Sequence, residues 1–328
     1  MGRIWRLFLL VLLLPGAEVR AGPMLLAHAL SGGRFYYIVR EGDSFASLGS
    51  RYGVDSVTLA AANGRGVKSR LKPGDTLWID NRHIVPADLD DGVLINVPQR
   101  MLFVLSNGRL MAAYPVAVGK PGWRTPRGSF TVIEKRKNPT WRVPPSIQAE
   151  MAAQGKRVRT RVPPGPDNPL GRHWVGLSLS AIGCHGTIAP LSIYHFRTHG
   201  CIRLHPDDAA DLFARTEPGT PGEIIYSPIL IAQLADGRIF VEADPDAYRL
   251  ESDTAQDLEA LAEIRGIGHM ISWPKVKAAL ERRDGLAHEV SIWRTCWWDA
   301  LPMEWRGIAL APGLGELSTA DSCSRLEP

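Results

Sequence analysis

The sequence predicts a multidomain α+β protein, a small βααβ unit followed by a mainly β domain. Two patterns carry that expectation. Near the start, strand, helix, helix and strand are compressed into under fifty residues; further on, short apolar strands recur at regular spacing between turn signals. At 328 residues and 45% hydrophobic content the chain is long enough for each unit to bury its own core, which excludes disorder throughout.

The first 21 residues read as a cleavable export signal. Arg3 and Arg6 give a basic start, Leu7 to Leu14 an unbroken apolar run, and Val19-Arg20-Ala21 a small-x-small cleavage site. The run falls well short of the roughly 20 apolar residues that span a bilayer, so no stable transmembrane segment is expected. Export to the periplasm would place the four cysteines, Cys184, Cys201, Cys296 and Cys323, where disulfides can persist. The sequence does not choose among their pairings. A net charge of +4, from 38 basic and 34 acidic residues without a Lys/Arg stripe, argues against nucleic acid as a partner.

The βααβ unit, residues 35–81, opens with alternating Tyr36 and Ile38 and turns at Glu41-Gly42-Asp43. A helical pattern through Phe45, Leu48 and Tyr52 stops at Gly53, and a second helix begins at Asp55 or Ser56 and ends at Asn63-Gly64. Pro73-Gly74-Asp75 turns the chain into a last strand, Thr76 to Ile79. A linker around Pro86 to Asp91 then leads to the β domain, residues 92–227. Its strands are read at Val93–Val97, Leu102–Leu105, Met111–Val118 and Ser129–Ile133, divided by Ser106-Asn107-Gly108 and Gly119-Lys120-Pro121-Gly122. From Lys135 to His173 the pattern gives way to a Pro-rich insertion with one helix, Ser146–Gln154. A stretch this long inside a compact domain is usually a lid or binding loop.

Chemistry concentrates in Gly183-Cys184-His185-Gly186-Thr187 and Thr198-His199-Gly200-Cys201-Ile202-Arg203-Leu204. A cysteine beside glycine on a tight turn, with histidines close by, has the makings of a nucleophile. An ordinary thiol, with a pKa of about 8.5, needs an imidazole or a positive charge to become the attacking thiolate at neutral pH. His199, two residues from Cys201, shares its face on an extended segment; His185, on a separate segment, is freer to take the angle that proton transfer needs. Either fits, and the second argument favours His185. The cluster Cys184, His185, His195, His199, Cys201 and His205 also contains metal-ligand types, but not at common zinc spacings.

These motifs resemble the signature of the YkuD-type L,D-transpeptidases. Trp123-Arg124-Thr125-Pro126-Arg127-Gly128-Ser129-Phe130 and the Pro163-to-Gly171 stretch are similar to the ErfK/YbiS-like branch of that family. The βααβ unit resembles the LysM module through Val39-Arg40-Glu41-Gly42-Asp43-Ser44, Arg51-Tyr52-Gly53-Val54, Ala61-Ala62-Asn63 and Leu71-Lys72-Pro73-Gly74-Asp75. The fold implied is a LysM-like module before a mainly β L,D-transpeptidase domain.

The resemblance implies Cys201 as nucleophile and His185 as its proton acceptor, with the Gly186 carbonyl orienting the imidazole. His199 and the amides around Gly200 and Cys201 would polarise the substrate carbonyl, and Arg203, Thr198 and Thr187 would lie on the substrate side, with Arg203 close to substrate or supporting the turn. It further implies a cell-wall enzyme that releases D-alanine from a tetrapeptide stem and passes the acyl group to an amine. Peptidoglycan stem peptides and glycan strands are then the partners, and an outer-membrane lipoprotein is a further acceptor class. Water as acceptor would make it a carboxypeptidase, and a silent site would leave a peptidoglycan-binding protein. No metal or organic cofactor is implied. Two positions depart from the family's pattern: Cys184, where an aliphatic residue is more usual, and Tyr194, where glycine is. On a strand Cys184 faces away from Cys201 and is expected to be a buried, inert thiol; a Cys184–Cys201 disulfide is the sharper alternative.

Residues 228–328 have no assigned role. Ile229–Leu234 and Ile239–Val241 form a hairpin expected to close the catalytic region, and Asp253 is read as the cap of a helix bearing Leu258, Leu261 and Ile264. His28, His83, His173, His269 and His288 are read as surface or packing residues, and Trp293, Trp297, Trp298 and Trp305 as core. A Cys296–Cys323 pair across the tail is a further expectation.

Overall fold

A computed structural model describes residues 24–250 and 254–292. The export signal, Asp253, the tail tryptophans, Cys296 and Cys323 lie outside these residues.

The first unit comprises β1 (Arg34–Ile38), α1 (Phe45–Tyr52), α2 (Ser56–Ala62) and β2 (Thr76–Asp80). β1 and β2 pair antiparallel with Tyr36 opposite Trp78, and the helices pack Phe45, Leu48 and Leu59 onto Leu77 and Ile79. Its polar residues act as structural ties. Ser44 and Ser47 cap α1 reciprocally, Gly53 ends it at φ +72°, and Asp55 caps α2. The Asn63 side chain donates to the Leu59 and Trp78 carbonyls and accepts from the Trp78 amide at 2.7 Å, stapling α2 to β2. Asp75 accepts from the Lys72 amide and pairs with Arg65 at 2.7 Å.

The second unit contains β3 (Gly92–Asn96), β4 (Met101–Ser106), β5 (Arg109–Gly119), β6 (Gly128–Lys137), α3 (Pro145–Ala153), β7 (His173–Leu177), β8 (Gly183–His185), β9 (Phe196–Thr198), β10 (Ile202–Leu204), α4 (Pro206–Arg215) and β11 (Pro221–Ile225). The strands run β9-β5-β10-β8-β7-β6-β11-β3-β4, and β4 pairs again with β5. The sheet therefore closes on itself. β5 makes this possible by length: its first part pairs with β4 as far as Pro115, and Val116 and Ala117 pair with β10. Enclosed are Ile95, Leu102, Val116, Cys184, Ile202 and Leu204. The helix in the insertion starts at Pro145, one residue earlier than read, with Pro near its first position where a missing N–H costs nothing.

The hairpin after the signature does not close this sheet. β12 (Ile229–Gln233) and β13 (Ile239–Ala243) instead form a separate four-stranded sheet with the short strand Leu26–Ala27 and with β14 (Ala287–Glu289). Leu26 pairs in parallel with Ile231. A partner some two hundred residues away leaves no local trace in the sequence, which is why the hairpin was assigned to the nearer sheet. α5 (Ala255–Ile264) and α6 (Trp273–Arg282) add Leu258, Leu261 and Val276 to a core with Ile231, Val241 and Val290. Thr254 caps α5 through a capping box with Asp257. Among the described residues no helix is long and apolar enough to cross a membrane.

The three units meet at a buried polar junction. His83, expected to be a packing residue, is fully buried: Nε2 lies 2.8 Å from the Gly53 carbonyl that ends α1, and Nδ1 lies 2.9 Å from Glu242 on β13. The Glu242 carboxylate also accepts from the Ile84 amide at 2.5 Å. Arg100 reaches Asp244 at 3.4 Å and lies over the Tyr194 ring at 4.0 Å. Burial and the neighbouring Glu242 charge push the Asp244 carboxyl up to about 7, against the pull of Arg100 and His83. Burial disfavours the His83 imidazolium, but Glu242 and Asp244 outweigh it and hold His83 above its ordinary value.

Both groups bind their protons more tightly folded than unfolded. Asp244 therefore contributes stability fully below its unfolded value of 3.8 and loses it as pH rises through about 7. His83 contributes in the same sense, losing its share above 6.5. Relative to Asp244→Asn, the wild type is expected to lose thermal midpoint as pH rises from about 5 to about 8, the span these two groups cover, a difference readable by calorimetry. A wild-type midpoint that gains on the variant over the same interval would contradict the junction. Glu242→Ala, which strands two buried donors, is expected to cost about 3–5 kcal/mol.

Candidate active site

β8 and β10 lie side by side in parallel, with Cys184 opposite Ile202 and His185 opposite Arg203. Alternation along a strand sends Cys184 and Ile202 into the core and leaves His185 and Arg203 on the other face. Cys201 stands two residues before Arg203, so it shares the face of His185.

The His185 ring is buried, and its Nδ1 lies 2.6 Å from the Gly186 carbonyl. A carbonyl only accepts, so Nδ1 carries the proton and Nε2 keeps its lone pair. Burial, joined by the Arg203 charge, pulls the imidazole down to about 3. Trp174, directly opposite on β7, stacks over the ring at 6.1 Å between centroids and 24° between planes. Glu134 accepts from the Trp174 indole N–H at 2.9 Å. A side chain at Gly183 would meet the Trp174 ring at 2.4 Å, so the glycine before Cys184 makes room for the indole.

Cys201 is half-buried, its thiol 3.5 Å from the Ala181 carbonyl. Burial raises the thiol above its ordinary value, while the Gly183 amide and the Arg203 charge oppose the rise. Burial thus favours the neutral form of both the thiol and the imidazole. Cys184 is 2% exposed and burial pushes its thiol far up. Both cysteines are free.

The turn between β9 and β10 is built by Thr198 and Thr125. Thr198 Oγ1 donates to the Cys201 carbonyl at 2.6 Å and accepts from the Gly200 amide at 3.1 Å. Thr125 Oγ1 donates to the Gly200 carbonyl at 2.9 Å and accepts from the Gly119 amide at 2.9 Å. Gly200 has φ +109°, a conformation other residues rarely adopt, and a side chain there would press on Ile182 at 3.1 Å. Backbone conformation is thus a sufficient reason for glycine here.

Several expected contacts fall elsewhere. The Gly200 amide faces the Thr198 hydroxyl, which leaves the Cys201 amide and His199 as the expected carbonyl donors. Thr187 and Thr198 are buried, and the Thr187 hydroxyl accepts from the Ala189 amide at 2.9 Å, so both serve the loops rather than open space. Arg203 supports a turn: its Nη1 donates to Ser192 Oγ at 2.9 Å. His199 Nε2 lies 2.5 Å from Glu150 on α3, and its ring meets Trp123 edge-on at 4.9 Å.

The two departures now have physical reasons. Cys184 fills a core position. Tyr194 adopts φ +64°, the left-handed region that explains a usual glycine, and is held there by Arg100, which stacks on the ring and reaches the Tyr194 carbonyl at 3.4 Å. In the insertion, Asn168 is buried and its amide donates to the Pro139 carbonyl at 2.7 Å and the Pro163 carbonyl at 3.2 Å, tying both ends together. Gly171 presses its Cα against the Gly186–Thr187 backbone, where a side chain would come within 2.9 Å of the Thr187 amide. Trp174, Glu134, Ser192 and Glu150 were not foreseen; among them only Trp174, an aromatic in a strand beside the motif, left a signal in the sequence.

With this geometry the comparisons fall into place. Residues 90–224 match the L,D-transpeptidase catalytic domain and residues 37–80 the LysM domain. The chain is 33% identical over 229 residues to the probable L,D-transpeptidase YcfS of Escherichia coli K12, covering 67% of this chain and 71% of that one. It is 31% identical over 254 residues to the probable L,D-transpeptidase ErfK/SrfK of the same organism, covering 71% of this chain and 81% of that one. The chain belongs to the L,D-transpeptidase family. The transpeptidase combines a LysM domain with a mainly β YkuD catalytic domain, and its C-terminal sheet and helices lie beyond both matches.

Alkylation of Cys201 by iodoacetamide, followed by mass spectrometry, is expected to accelerate with a midpoint above the ordinary thiol value of about 8.5. Arg203→Met should move it further up, and Cys184 should stay unlabelled in the folded enzyme. A midpoint below neutrality would instead mean a thiolate–imidazolium pair at rest.

Proposed function

We propose that this transpeptidase remodels peptidoglycan in the periplasm through a thioester on Cys201. His185 Nε2 takes the thiol proton as sulfur attacks the carbonyl preceding the terminal D-alanine of a tetrapeptide stem. A carbon–sulfur bond forms, the carbon–nitrogen bond breaks, and His185 returns the proton to the departing D-alanine nitrogen. The observation that carries this reading is the Nδ1 bond to the Gly186 carbonyl, which leaves the basic nitrogen free on the face that Cys201 shares.

Nitrogen of an incoming amine then attacks the thioester, and sulfur recovers a proton through His185. A diaminopimelate side chain as acceptor gives a cross-link between third residues, a lipoprotein lysine gives outer-membrane attachment, and water gives carboxypeptidase action. His199 and the Cys201 amide are the donors proposed for the developing oxyanion, a contribution typically worth about 3–4 kcal/mol per donor. The LysM domain is proposed to bind N-acetylglucosamine-containing glycan strands, and residues 1–21 to be removed on export.

Intact mass after incubation with a tetrapeptide stem is expected to show an acyl adduct on the mature enzyme and none on Cys201→Ala. Adding a diaminopimelate-containing acceptor should discharge the adduct into a cross-linked product. No adduct under reducing conditions would sink the catalytic reading in favour of a binding protein.

A further inference from the structure

α3 sits in the insertion, and none of its residues is buried. Its N-terminus has no side-chain cap; Gln148 donates to the Val143 carbonyl, and Gln154, just past the helix, donates to Glu150. Glu150 reaches outward. One carboxylate oxygen lies 2.5 Å from His199 Nε2 and the other 3.4 Å from Lys120 Nζ.

Local composition sharpens the point. Between residues 138 and 172 the insertion carries Arg142, Lys156, Arg157, Arg159, Arg161 and Arg172, against Glu150 and Asp167 as its acids. Of these two, Glu150 meets the nucleophile turn. His199 beside it, with Lys120, holds the Glu150 carboxyl below its usual range, so the group is a carboxylate at neutral pH.

The partners belong to two supports of Cys201. His199 is on the nucleophile turn itself. Lys120 is on the Gly119–Thr125 turn, where its amide donates to the Thr198 carbonyl at 3.0 Å and its carbonyl accepts from the Trp123 amide at 2.7 Å. The Trp123 edge meets the His199 ring, so carboxylate and indole together fix how the imidazole is turned.

We propose that Glu150 is a positioning residue for acyl transfer, holding His199 for the substrate carbonyl and latching the insertion against the nucleophile turn. The proposal rests on the thioester reading above. A carboxylate accepts from Nε2–H in a charge-assisted bond, so the ring can donate to a substrate carbonyl only through Nδ1–H, in its doubly protonated form. Because α3 lacks a buried face, removing one carboxylate charge leaves the core intact while freeing both the ring and the helix.

The test follows single-turnover acylation by a tetrapeptide stem, read by intact mass, beside iodoacetamide alkylation, which needs the thiol and no carbonyl donor. E150Q and H199Q are each expected to slow acylation by about tenfold or more. The double variant should be no slower than the worse single, since both changes break one unit. Alkylation of Cys201 in E150Q should stay within about twofold of the wild type, and E150D should restore part of the loss. Unchanged acylation in E150Q, losses that multiply in the double variant, or a parallel fall in alkylation and thermal midpoint would each overturn the proposal. A wild-type enzyme without a Cys201-dependent adduct would overturn the thioester reading, and this proposal with it.

Discussion

The parallel pairing of β8 with β10 is the constraint on which the site depends. Two short strands, set so that His185 stands opposite Arg203, decide at once which side chains enter the core and which take the opposite face. A slip of one residue would turn the histidine into the core and Cys184 to the opposite face. The closed sheet holds that register, because β10 is pinned on its other side by β5, whose length lets it serve both halves of the ring. Polar detail is then laid on a fixed frame: Thr198 and Thr125 shape the turn, and Trp174 covers the imidazole.

The electrostatics follow from dryness. Burial disfavours both the thiolate and the imidazolium. Arg203 pulls the two in different directions: its charge makes the thiol easier to ionise and the imidazole harder to protonate. On the mechanism proposed above, charge separation becomes favourable when a substrate supplies a developing negative oxygen for nearby donors to meet, which would tie proton transfer to the presence of a carbonyl.

Much of this was legible in the sequence, and the reasons differ by region. The first unit could be read because turn glycines, capping residues and periodic apolar positions lie within fifty residues, and Ser44, Gly53 and Asn63 hold the places that local rules give them. The Cys/His motif was likewise visible as chemistry. Legibility ended where partners are distant in the chain. Nothing around Ile229 points to Leu26, nothing around His83 points to Glu242, and Glu150 looks like any surface residue of a helix until it meets His199. The loop bonds of Thr187 and Thr198 were hidden for a related cause: a hydroxyl in a motif looks the same in sequence whether it faces a ligand or its own loop.

The docking of the first unit on the rest of the molecule bears on how glycan and peptide would be handled together. The carbonyl that ends α1 meets His83, and Arg51 on the same helix pairs with Asp208 of α4 at 3.1 Å. A module on a slack tether raises the local supply of its ligand in every direction, at an effective concentration set by tether length. On the glycan binding proposed above, a module seated on the body would act as a fixed jig: a strand held there would offer its branches to Cys201 at one offset and one angle, so that spacing along the polymer would join side-chain chemistry in selecting the branch that reacts.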